Sequence, residues 1–366
     1  MKVVLTGGGT GGHIYPALSL WRYMQRRIDP LDCLYIGTRN GLEQSIVRPL
    51  DLPFVTVDAA GLRRQVSLQA VRTLLVTARG YFQARRLLRR FRPDVVVGTG
   101  GFVTLPVVFA AKSLGIPSVI WEGNARPGLT NQLCARKSEA VAVCFPESER
   151  YFRGARRVVL TGNPRASEVI SVDSAAKRQA LDTYRILRGQ KVVLIFTGSR
   201  GSESVNRMIA QMLPRFAQHP DWRCLFVTGE AHYDETVREL GALPRNVSIH
   251  PFISDMPSLL PHVDLIISRA GSSTLAEICA LGIASILIPS PYVTANHQEE
   301  NARNLVHAGA ALMIREQDLT VDRLWDGVVD LLKPDKLAVM KERAKSFGQP
   351  EAVERLYDLV MSAVRS

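Results

Sequence analysis

Short apolar runs alternate with helix-length stretches from one end of the chain to the other. The runs are nearly continuous Val, Ile and Leu, which is typical of strands covered on both faces. This alternation of strand and helix predicts an α/β fold built on parallel sheets. The predicted strands of the first half are Lys2–Leu5, Cys33–Ile36, Phe54–Val57, Val95–Val97, Ser118–Ile120 and Ala140–Val143, and those of the second half are Lys191–Phe196, Arg223–Val227, Val247–His250, Leu265–Ile267 and Ser285–Ile288.

The two halves of the chain repeat one design. VVL leads into TGGGTGGH at 6–13, and VVLIF leads into TGSRGSES at 197–204, so each half opens as strand, glycine-rich loop and helix. A second echo pairs PDVVVGTGG at 93–101 with VDLIISRAG at 263–271. The turn signal Gly162-Asn163-Pro164 places the boundary between domains 1–162 and 163–346. We therefore predict two Rossmann-like, doubly wound parallel-sheet domains that face each other across a cleft, with ligand loops at their switch points.

Length and composition agree with two globular domains. The chain has 366 residues, of which 46% are hydrophobic and 22% charged, which excludes a disordered chain and a small disulfide-stapled module. Its five cysteines are scattered without a CxxC, which disfavours a disulfide framework or a zinc site and indicates a reducing cytosol. The apolar run before the first glycines is too short for a signal peptide, and the apolar, charge-free stretch 95–111 falls short of a membrane span.

The net charge of +12 lies entirely in the first half. Residues 1–162 hold 23 Lys and Arg against 10 Asp and Glu, whereas residues 163–366 hold 23 against 24. One interpretation is a surface tuned for solubility. The other is an anionic partner for the first half, which could be nucleic acid, a lipid headgroup or a phosphorylated substrate.

The segment 63–92 concentrates this charge, with nine arginines and no acid. Apolar residues at near-helical spacing predict a helix, and its apolar stripe could simply pack on the sheet. Arginines beside apolar residues also fit adsorption to an anionic bilayer. Nucleic acid is disfavoured because no recognition motif is present. The candidate membrane contacts are Leu75, Phe82, Arg85, Arg86, Arg89 and Arg90, and the apolar stripe also includes Leu68, Val71 and Leu74.

GGGTGGH at 7–13 is the strongest local signal. It satisfies GxGxxG, but the second strand ends at Ile36-Gly37-Thr38 without the acid that a dinucleotide ribose needs, so a nicotinamide or flavin site is disfavoured. The glycines let backbone come close to a ligand. His13 lies at the mouth of a predicted helix, Ile14–Met24, whose positive end disfavours imidazolium. His13 is therefore a candidate proton acceptor, or else a residue that hydrogen-bonds its own loop.

Three further loops follow strands of the second half. TGSRGSESVN at 197–206 places Ser199 and the following amides near a phosphate or a nucleoside, unless it is an ordinary capped βα turn. SRAGSSTLAEI at 268–278 offers an anion site at a helix start through Gly271, Ser272, Ser273 and Thr274. Within it, Glu277 either accepts from ribose hydroxyls or forms a capping box with Thr274.

PSPYVTANHQEEN at 289–301 forms the last of these loops. Its amides suit sugar hydroxyls, unless the loop only caps a helix that begins near Gln298. The chain contains no DxD motif of the kind that holds a nucleotide-sugar diphosphate through a metal. The absence favours a diphosphate held by helix N-termini.

Taken in order, these motifs resemble the MurG family, the undecaprenyldiphospho-muramoylpentapeptide β-N-acetylglucosaminyltransferases of peptidoglycan synthesis. The resemblance runs nearly end to end and implies the two-domain B-type glycosyltransferase fold, with a C-terminal helix at about 347–366 packing back on the first domain. The motifs that carry it are GGGTGGHIYPAL at 7–18, IGTRNGLE at 36–43, GTGGFVTLPV at 98–107, PGLTNQ at 127–132, TGNPRASEV at 161–169, TGSRGS at 197–202, RAGSSTLAEI at 269–278 and PYVTANHQEENA at 291–302.

The resemblance implies transfer of GlcNAc from UDP-GlcNAc to the muramoyl 4-hydroxyl of an undecaprenyl-diphosphate-linked muramoyl pentapeptide, with inversion. It implies no cofactor, no protein-bound metal and no nucleic acid, and a peripheral place on the anionic cytoplasmic face of the cell membrane. The first domain would receive the acceptor and the second would bind UDP-GlcNAc. His13 would be the general base. The substrate-binding residues would be Thr10, Gly11, Gly12, Asn124, Arg165, Ser199, Ile253, Ser272, Ser273, Thr274, Glu277 and Gln298.

The sequence departs from the family pattern in two places. The usual HEQN reads WEGN at 121–124, and Thr197 and Ser202 stand where Gly and Ala are usual. Other functions stay open at this point. They are a UDP-sugar transferase with another lipid acceptor, a UDP-GlcNAc epimerase of the same fold, a nicotinamide oxidoreductase and a non-catalytic sugar-nucleotide scaffold.

Overall fold

The computed structural model describes residues 1–61, 68–198, 201–293 and 296–365, with residues 68–72 described by their helical backbone only. It divides into two compact units, the first formed by Met1–Arg165 with Glu351–Ser366 and the second by Ala166–Pro350. The boundary predicted at Gly162-Asn163-Pro164 lies a few residues before this division. Both units are parallel α/β sheets wrapped by helices, so the predicted fold class is confirmed.

The first unit has a seven-stranded parallel sheet with strand order β3-β2-β1-β4-β5-β6-β7. Successive residues of the first strand enter opposite cores, because Val3 and Leu5 pack with the C-terminal helix while Val4 packs with Ala84, Leu88 and Val107. The strands are β1 Lys2–Gly7, β2 Asp32–Gly37, β3 Phe54–Thr56, β4 Val95–Gly100, β5 Ser118–Glu122, β6 Ala140–Val143 and β7 Val158–Leu160. The helices are α1 Gly11–Gln25, α2 Glu43–Val47, α3 Leu68–Phe91, α4 Thr104–Ser113, α5 Leu129–Ala135 and, from the C-terminal segment, α15 Ala352–Val364.

The second unit has a six-stranded parallel sheet with strand order β10-β9-β8-β11-β12-β13. Its hydrophobic core contains Phe216, Phe226 and Trp325, which pack with aliphatic side chains. The strands are β8 Lys191–Phe196, β9 Trp222–Val227, β10 Val247–His250, β11 Leu265–Ser268, β12 Ala284–Leu287 and β13 Leu312–Met313. The helices are α6 Arg165–Ile170, which starts at the division, α7 Ser174–Thr183, α8 Glu203–Met212, α9 Glu230–Glu239, α10 Met256–Leu259, α11 Ser272–Leu281, α12 His297–His307, α13 Val321–Leu331 and α14 Pro334–Phe347.

The two units, which repeat one design in sequence, also share one arrangement of hydrogen bonds. In the first unit, Asp94 accepts from the Lys2 amide at 2.7 Å and its own amide donates to the Lys2 carbonyl at 2.8 Å. In the second, Asp264 accepts from the Val192 amide at 3.0 Å and donates to the Val192 carbonyl at 2.9 Å. In each unit the fourth strand in chain order is thus fixed beside the first strand by the same pair of hydrogen bonds, and the switch point lies between these strands.

Two strands were not among those predicted, β7 and β13, because runs of three and two residues carry little periodicity. Helix α1 begins at Gly11, three residues before the predicted start, because glycine was interpreted as loop. The predicted C-terminal helix forms as α15, and Leu356 and Val360 lie in the same core as α1.

Candidate active site

The first glycine loop lies at the switch point of the first sheet, between the end of β1 and the start of α1. The Gly8 amide donates to the Gly100 carbonyl at 3.1 Å, which joins this loop to the one that follows β4. Gly101 has a φ of +84°, and a Cβ there would lie 2.3 Å from the Gly8 carbonyl oxygen. The two backbones therefore meet at a distance that only glycine permits.

His13 is the third residue of α1 and faces this junction. Its Nδ1 lies 3.0 Å from the Gly8 carbonyl oxygen. A carbonyl can only accept, so Nδ1 carries the proton and Nε2 keeps its lone pair. Burial lowers the pKa of His13, against the opposing effects of the Gly8 carbonyl and the Glu43 charge. His13 thus hydrogen-bonds its own loop through one nitrogen and is a neutral base at the other.

The other residues predicted in this loop accompany His13 at the start of α1. Thr10 precedes the helix in extended conformation, and its hydroxyl lies 3.4 Å from His13 Nδ1. Gly11 and Gly12 form the first helical positions, and a Cβ on Gly11 would lie 3.1 Å from the ring of Tyr15. The structure therefore brings Thr10, Gly11, Gly12 and His13 together.

Asn124 is held by a residue to which the sequence analysis gave no role, Glu122 at the end of β5. One oxygen of Glu122 accepts from the Asn124 amide at 2.9 Å and from its side chain at 3.2 Å. The other accepts from the Gly128 amide at 3.2 Å and the Asn131 side chain at 2.9 Å. Burial raises the pKa of Glu122, while these four donors act in the opposite sense. An acidic residue at the end of a predicted strand, followed by Asn124 and Asn131, is the sequence signal that could have identified Glu122.

Arg165 lies at the end of the first unit. Its guanidinium is 5.4 Å from the ring centroid of Tyr15, a cation–π distance. Tyr15 lies on the first turns of α1, so Arg165 and His13 share one end of that helix.

In the second unit, the loop that follows β11 leads into α11. Gly271 is the N-cap, and the first bond inside the helix runs from the Leu275 amide to the Gly271 carbonyl at 3.0 Å. Ser272, Ser273 and Thr274 occupy the first turn, where backbone amides have no acceptor within the helix. The capping box considered for Thr274 and Glu277 is wrong, because Thr274 is the third helical residue. Glu277 is buried further along the same helix.

Arg269, between β11 and α11, received no role from the sequence. It is buried, it donates to the Ser202 hydroxyl at 2.8 Å, and its other nitrogen bonds the Ile288 carbonyl at 3.1 Å. A carboxylate oxygen of Glu316 lies 2.7 Å from the Arg269 guanidinium and balances its charge. Arg269 therefore ties the loop before α8 to the loop after β12. Ser199, predicted in the first of these loops, lies outside the described residues.

Gln298 and Ile253 lie on the carboxyl side of two other strands. Gln298 is the second residue of α12, one residue after the helix starts, and its side-chain oxygen accepts from the Ser290 amide at 2.9 Å. Ile253 follows β10 and is buried. Because carboxyl ends of parallel strands share one edge of a sheet, both residues belong to the edge that carries α11.

Comparison with known proteins decides the family. Residues 3–143 match the glycosyltransferase family 28 N-terminal domain and residues 192–356 match the family 28 C-terminal domain. A Bacillus licheniformis protein named UDP-N-acetylglucosamine--N-acetylmuramyl-(pentapeptide) pyrophosphoryl-undecaprenol N-acetylglucosamine transferase is 46% identical over 98% of each chain. Its namesake from Halalkalibacterium halodurans is 46% identical over 100% of each. The crystal structure of Acinetobacter baumannii MurG matches with a TM-score of 0.78 and 27% identity, over 99% of each chain.

The chain belongs to the MurG family of glycosyltransferase family 28. Its departure from the MurG pattern at 121–124 has a structural account. Trp121 is fully buried in the core of the first unit, and its ring N–H donates to the Gly162 carbonyl at 3.1 Å. The acid of the motif is retained as Glu122, which still holds Asn124.

The part of the chain that the structure describes contains no metal-binding cluster. Among residues 1–61, 68–198, 201–293 and 296–365, no group of three or more His, Cys, Asp or Glu side chains is placed to hold a metal ion. The independence from a protein-bound metal stays a prediction.

Proposed function

We propose that the protein transfers GlcNAc from UDP-GlcNAc to the 4-hydroxyl of the muramoyl sugar on an undecaprenyl-diphosphate-linked pentapeptide, with inversion at the anomeric carbon. The observation that carries the proposal is identity of 46% over 98% or more of each chain to relatives named for this transfer. The chemistry of each unit supports it independently.

The first unit supplies the base. In the proposed reaction the acceptor hydroxyl attacks the anomeric carbon, and His13 Nε2 takes its proton. The bond from Nδ1 to the Gly8 carbonyl fixes the tautomer that this step requires. Thr10, Gly11 and Gly12 at the N-terminus of α1, with Asn124 and Arg165, would line the acceptor or donor-sugar side.

The second unit holds the donor. The diphosphate would bind the first turn of α11 at Ser272–Thr274, where the helix dipole and amides stabilise the charge that grows as UDP leaves. Glu277 would bind the ribose, Gln298 the GlcNAc and Ile253 the uracil, with Ser199 at the diphosphate. No metal or cofactor is part of the proposed step.

One assay tests the proposal. UDP release from UDP-GlcNAc is measured with and without muramoyl-pentapeptide diphosphoundecaprenol, in the presence of EDTA. We expect release that depends on the acceptor and resists the chelator. Conversion of UDP-GlcNAc without acceptor would identify an epimerase, equal release with an unrelated lipid sugar would identify a different transferase, and no turnover at all would leave only a binding scaffold.

We further propose that the first unit docks on the anionic cytoplasmic face of the cell membrane. No helix among the described residues is long and apolar enough to cross a bilayer. Along α3, the spacing of Leu75, Arg79, Phe82, Arg86 and Arg89 puts these residues on one helix face. Leu75 is 67% exposed and Phe82 66%, so the idea that the apolar stripe packs on the sheet is wrong for them.

The packed face of α3 is formed instead by Ala84 and Leu88, which enter the core under α4. Leu74 is also exposed, Leu68 and Val71 have side chains outside the described residues, and Arg85 donates to Ser113 at 3.3 Å. Arg86, Arg89 and Arg90 are exposed. A face that mixes exposed large apolar residues with arginines supports adsorption to anionic lipid.

Vesicle binding tests the docking proposal. We expect Arg86/Arg89/Arg90→Gln, and separately Leu75/Phe82→Ser, to weaken binding to phosphatidylglycerol vesicles, and salt to weaken binding of the unmodified protein. Matched controls lie on exposed positions of the second unit, Arg178/Arg188/Arg238→Gln and Leu187→Ser. Binding that ignored salt and both α3 variants would refute this part of the proposal.

A further inference from the structure

Glu43 is a carboxylate enclosed beneath the first glycine loop. It begins α2, has no exposed surface, and its Oε1 accepts from the Thr38 amide at 2.7 Å and the Thr38 hydroxyl at 2.6 Å. Its Oε2 accepts from the Gly9 amide at 3.1 Å. A Cβ on Gly8 would lie 2.6 Å from Glu43 Oε1, and one on Gly41 would lie 2.2 Å away. Glycines therefore make the space that the acid fills.

The Gly9 amide and the Gly8 carbonyl are the two ends of one peptide group. Its N–H donates to Glu43, and its carbonyl oxygen accepts from His13 Nδ1 at 3.0 Å. A carboxylate that accepts from one end of a peptide polarises it and makes the other end a stronger acceptor. The three groups form a continuous chain from the Glu43 carboxylate through peptide 8–9 to the imidazole, which we call the Glu43–peptide–His13 chain.

We propose that Glu43 is a positioning residue that acts through peptide 8–9 to hold His13 with its proton on Nδ1 and its lone pair on Nε2. It does the work of the acid that orients the histidine in a hydrolase triad, with a peptide group between the two. The inference rests on the proposed function only in taking His13 as the base.

The surroundings of His13 leave Glu43 as the charge that acts on it. The described groups with an effect on His13 are the Gly8 carbonyl of its own loop, the Thr10 hydroxyl and the carboxylate of Glu43 from α2. Tyr35 of β2 donates to the Gly7 carbonyl at 2.9 Å, and burial raises its pKa, so it stays neutral. The Glu43 charge raises the pKa of His13, partly offsetting the effect of burial.

Glu43→Gln is the test, because it removes the charge at constant size. The single oxygen of Gln suits the two donors of Thr38, which leaves an NH2 group against the Gly9 amide. We expect kcat to fall about 10- to 100-fold, with an unchanged KM for UDP-GlcNAc. The acidic limb of the rate profile should move to lower pH, because the pKa of His13 loses the contribution of Glu43. A role confined to packing would not move that limb.

Nitrogen NMR of histidine-labelled protein reads the tautomer without reference to activity. We expect neutral His13, assigned by the loss of its signals in His13→Gln, to carry its proton on Nδ1, and Glu43→Gln to mix the two tautomers. Thr38→Val is the matched control, since it removes one donor to Glu43 but keeps the charge and the Gly9 bond. It should preserve both the tautomer and the acidic limb.

The outcomes separate this inference from the proposed function. A proton on Nε2 in the unmodified protein, or a Glu43→Gln variant with unaltered tautomer and pH profile, would overturn the Glu43–peptide–His13 chain even if the transfer is confirmed. Absence of acceptor-dependent UDP release would refute the transfer and leave the tautomer measurement decisive for Glu43. If Glu43→Gln does not fold, as judged by circular dichroism, Glu43→Asp replaces it. That variant keeps the charge but withdraws it from Gly9, so unaltered kcat and tautomer would again refute the inference.

Discussion

The guanidinium of Arg269 donates to the hydroxyl of Ser202 at 2.8 Å and so joins two loops whose residues lie 67 positions apart. It also faces Glu316 at 2.7 Å, a charge contact outside hydrogen-bond geometry, with side-chain exposures of 9% and 13%. The loop before α8 and the loop after β12 are thus fixed by one buried cation.

Arg269→Met should lower the free energy of unfolding by about 3–5 kcal/mol, because it leaves the largely buried carboxylate of Glu316 without its counter-charge. The KM for UDP-GlcNAc should rise as the loops loosen. Urea unfolding and initial rates measure the two effects. Arg207→Met is the matched control, since its pair with Glu203 is exposed and worth about 0–1 kcal/mol. A loss no larger than that of Arg207→Met would contradict the role given to Arg269.

His13→Ala should reduce kcat by about 10²–10⁴-fold and leave UDP-GlcNAc binding nearly unchanged, because the base contacts the acceptor proton and not the nucleotide. Rates under acceptor saturation and calorimetric donor binding check this. Full turnover in the variant would refute His13 as the base.

The pH dependence follows from the lowered pKa of His13. Between the ordinary value of 6.5 and the lower folded value, the unfolded chain binds a proton that the folded protein does not. Stability is therefore lost as the pH falls below about 6.5. We also expect kcat/KM to fall only at pH values below about 6.5. His13→Gln should remove this contribution to the pH dependence of the melting temperature.

Gly100→Ala should lower turnover while leaving a folded protein. A Cβ there would lie 2.7 Å from His13 Cδ2 and 3.0 Å from Nε2, at a φ of +110°. We expect at least about a tenfold loss in kcat because His13 must move. Gly115→Ala is the control, since Gly115 also has a positive φ, of +72°, but its Cβ would meet nothing within 4 Å. Equal activity in both variants would argue against a fixed His13.

Glu277→Ala should raise the KM for UDP-GlcNAc about tenfold with little change in kcat, as the loss of a ground-state contact to ribose does. Glu342→Ala, at an exposed position of α14, should alter neither constant. Competition by UDP gives an independent measure of affinity. A variant that lost kcat alone would not have lost a simple ribose ligand.

Much of the site was accessible from the sequence because its residues are neighbours along the chain. GGGTGGH places His13 at a helix start after a strand, and SRAGSST places three amides at another, so local spacing alone locates both. Glu43, Glu122 and Arg269 were not given roles. Glu43 and Arg269 act on groups 34 and 67 positions away that only packing brings close, at 3.1 Å for the Gly9 amide and 2.8 Å for the Ser202 hydroxyl. The partners of Glu122 are two to nine positions away, but their spacing does not show that the acid is buried among them.

The glycine loop also contacts an acid that the sequence did not reveal. The end of β2 lacks an acid, which argues correctly against a dinucleotide ribose site. An acid nevertheless reaches the glycine loop, from α2, and it is enclosed by glycines instead of facing a ligand.

The sequence by itself determined the α/β class, the repeated design, the family and the positions of the glycine-rich loops, because strand periodicity and glycine spacing are local properties. Only the tertiary structure decided which face of α3 is exposed, which nitrogen of His13 holds the proton, and which buried charges fix the loops. The packed face of α3 and the placing of Glu43 and Arg269 depend on contacts between residues far apart in the chain. The His13 tautomer depends on the hydrogen-bond geometry to Gly8, five residues away, which spacing along the chain does not give.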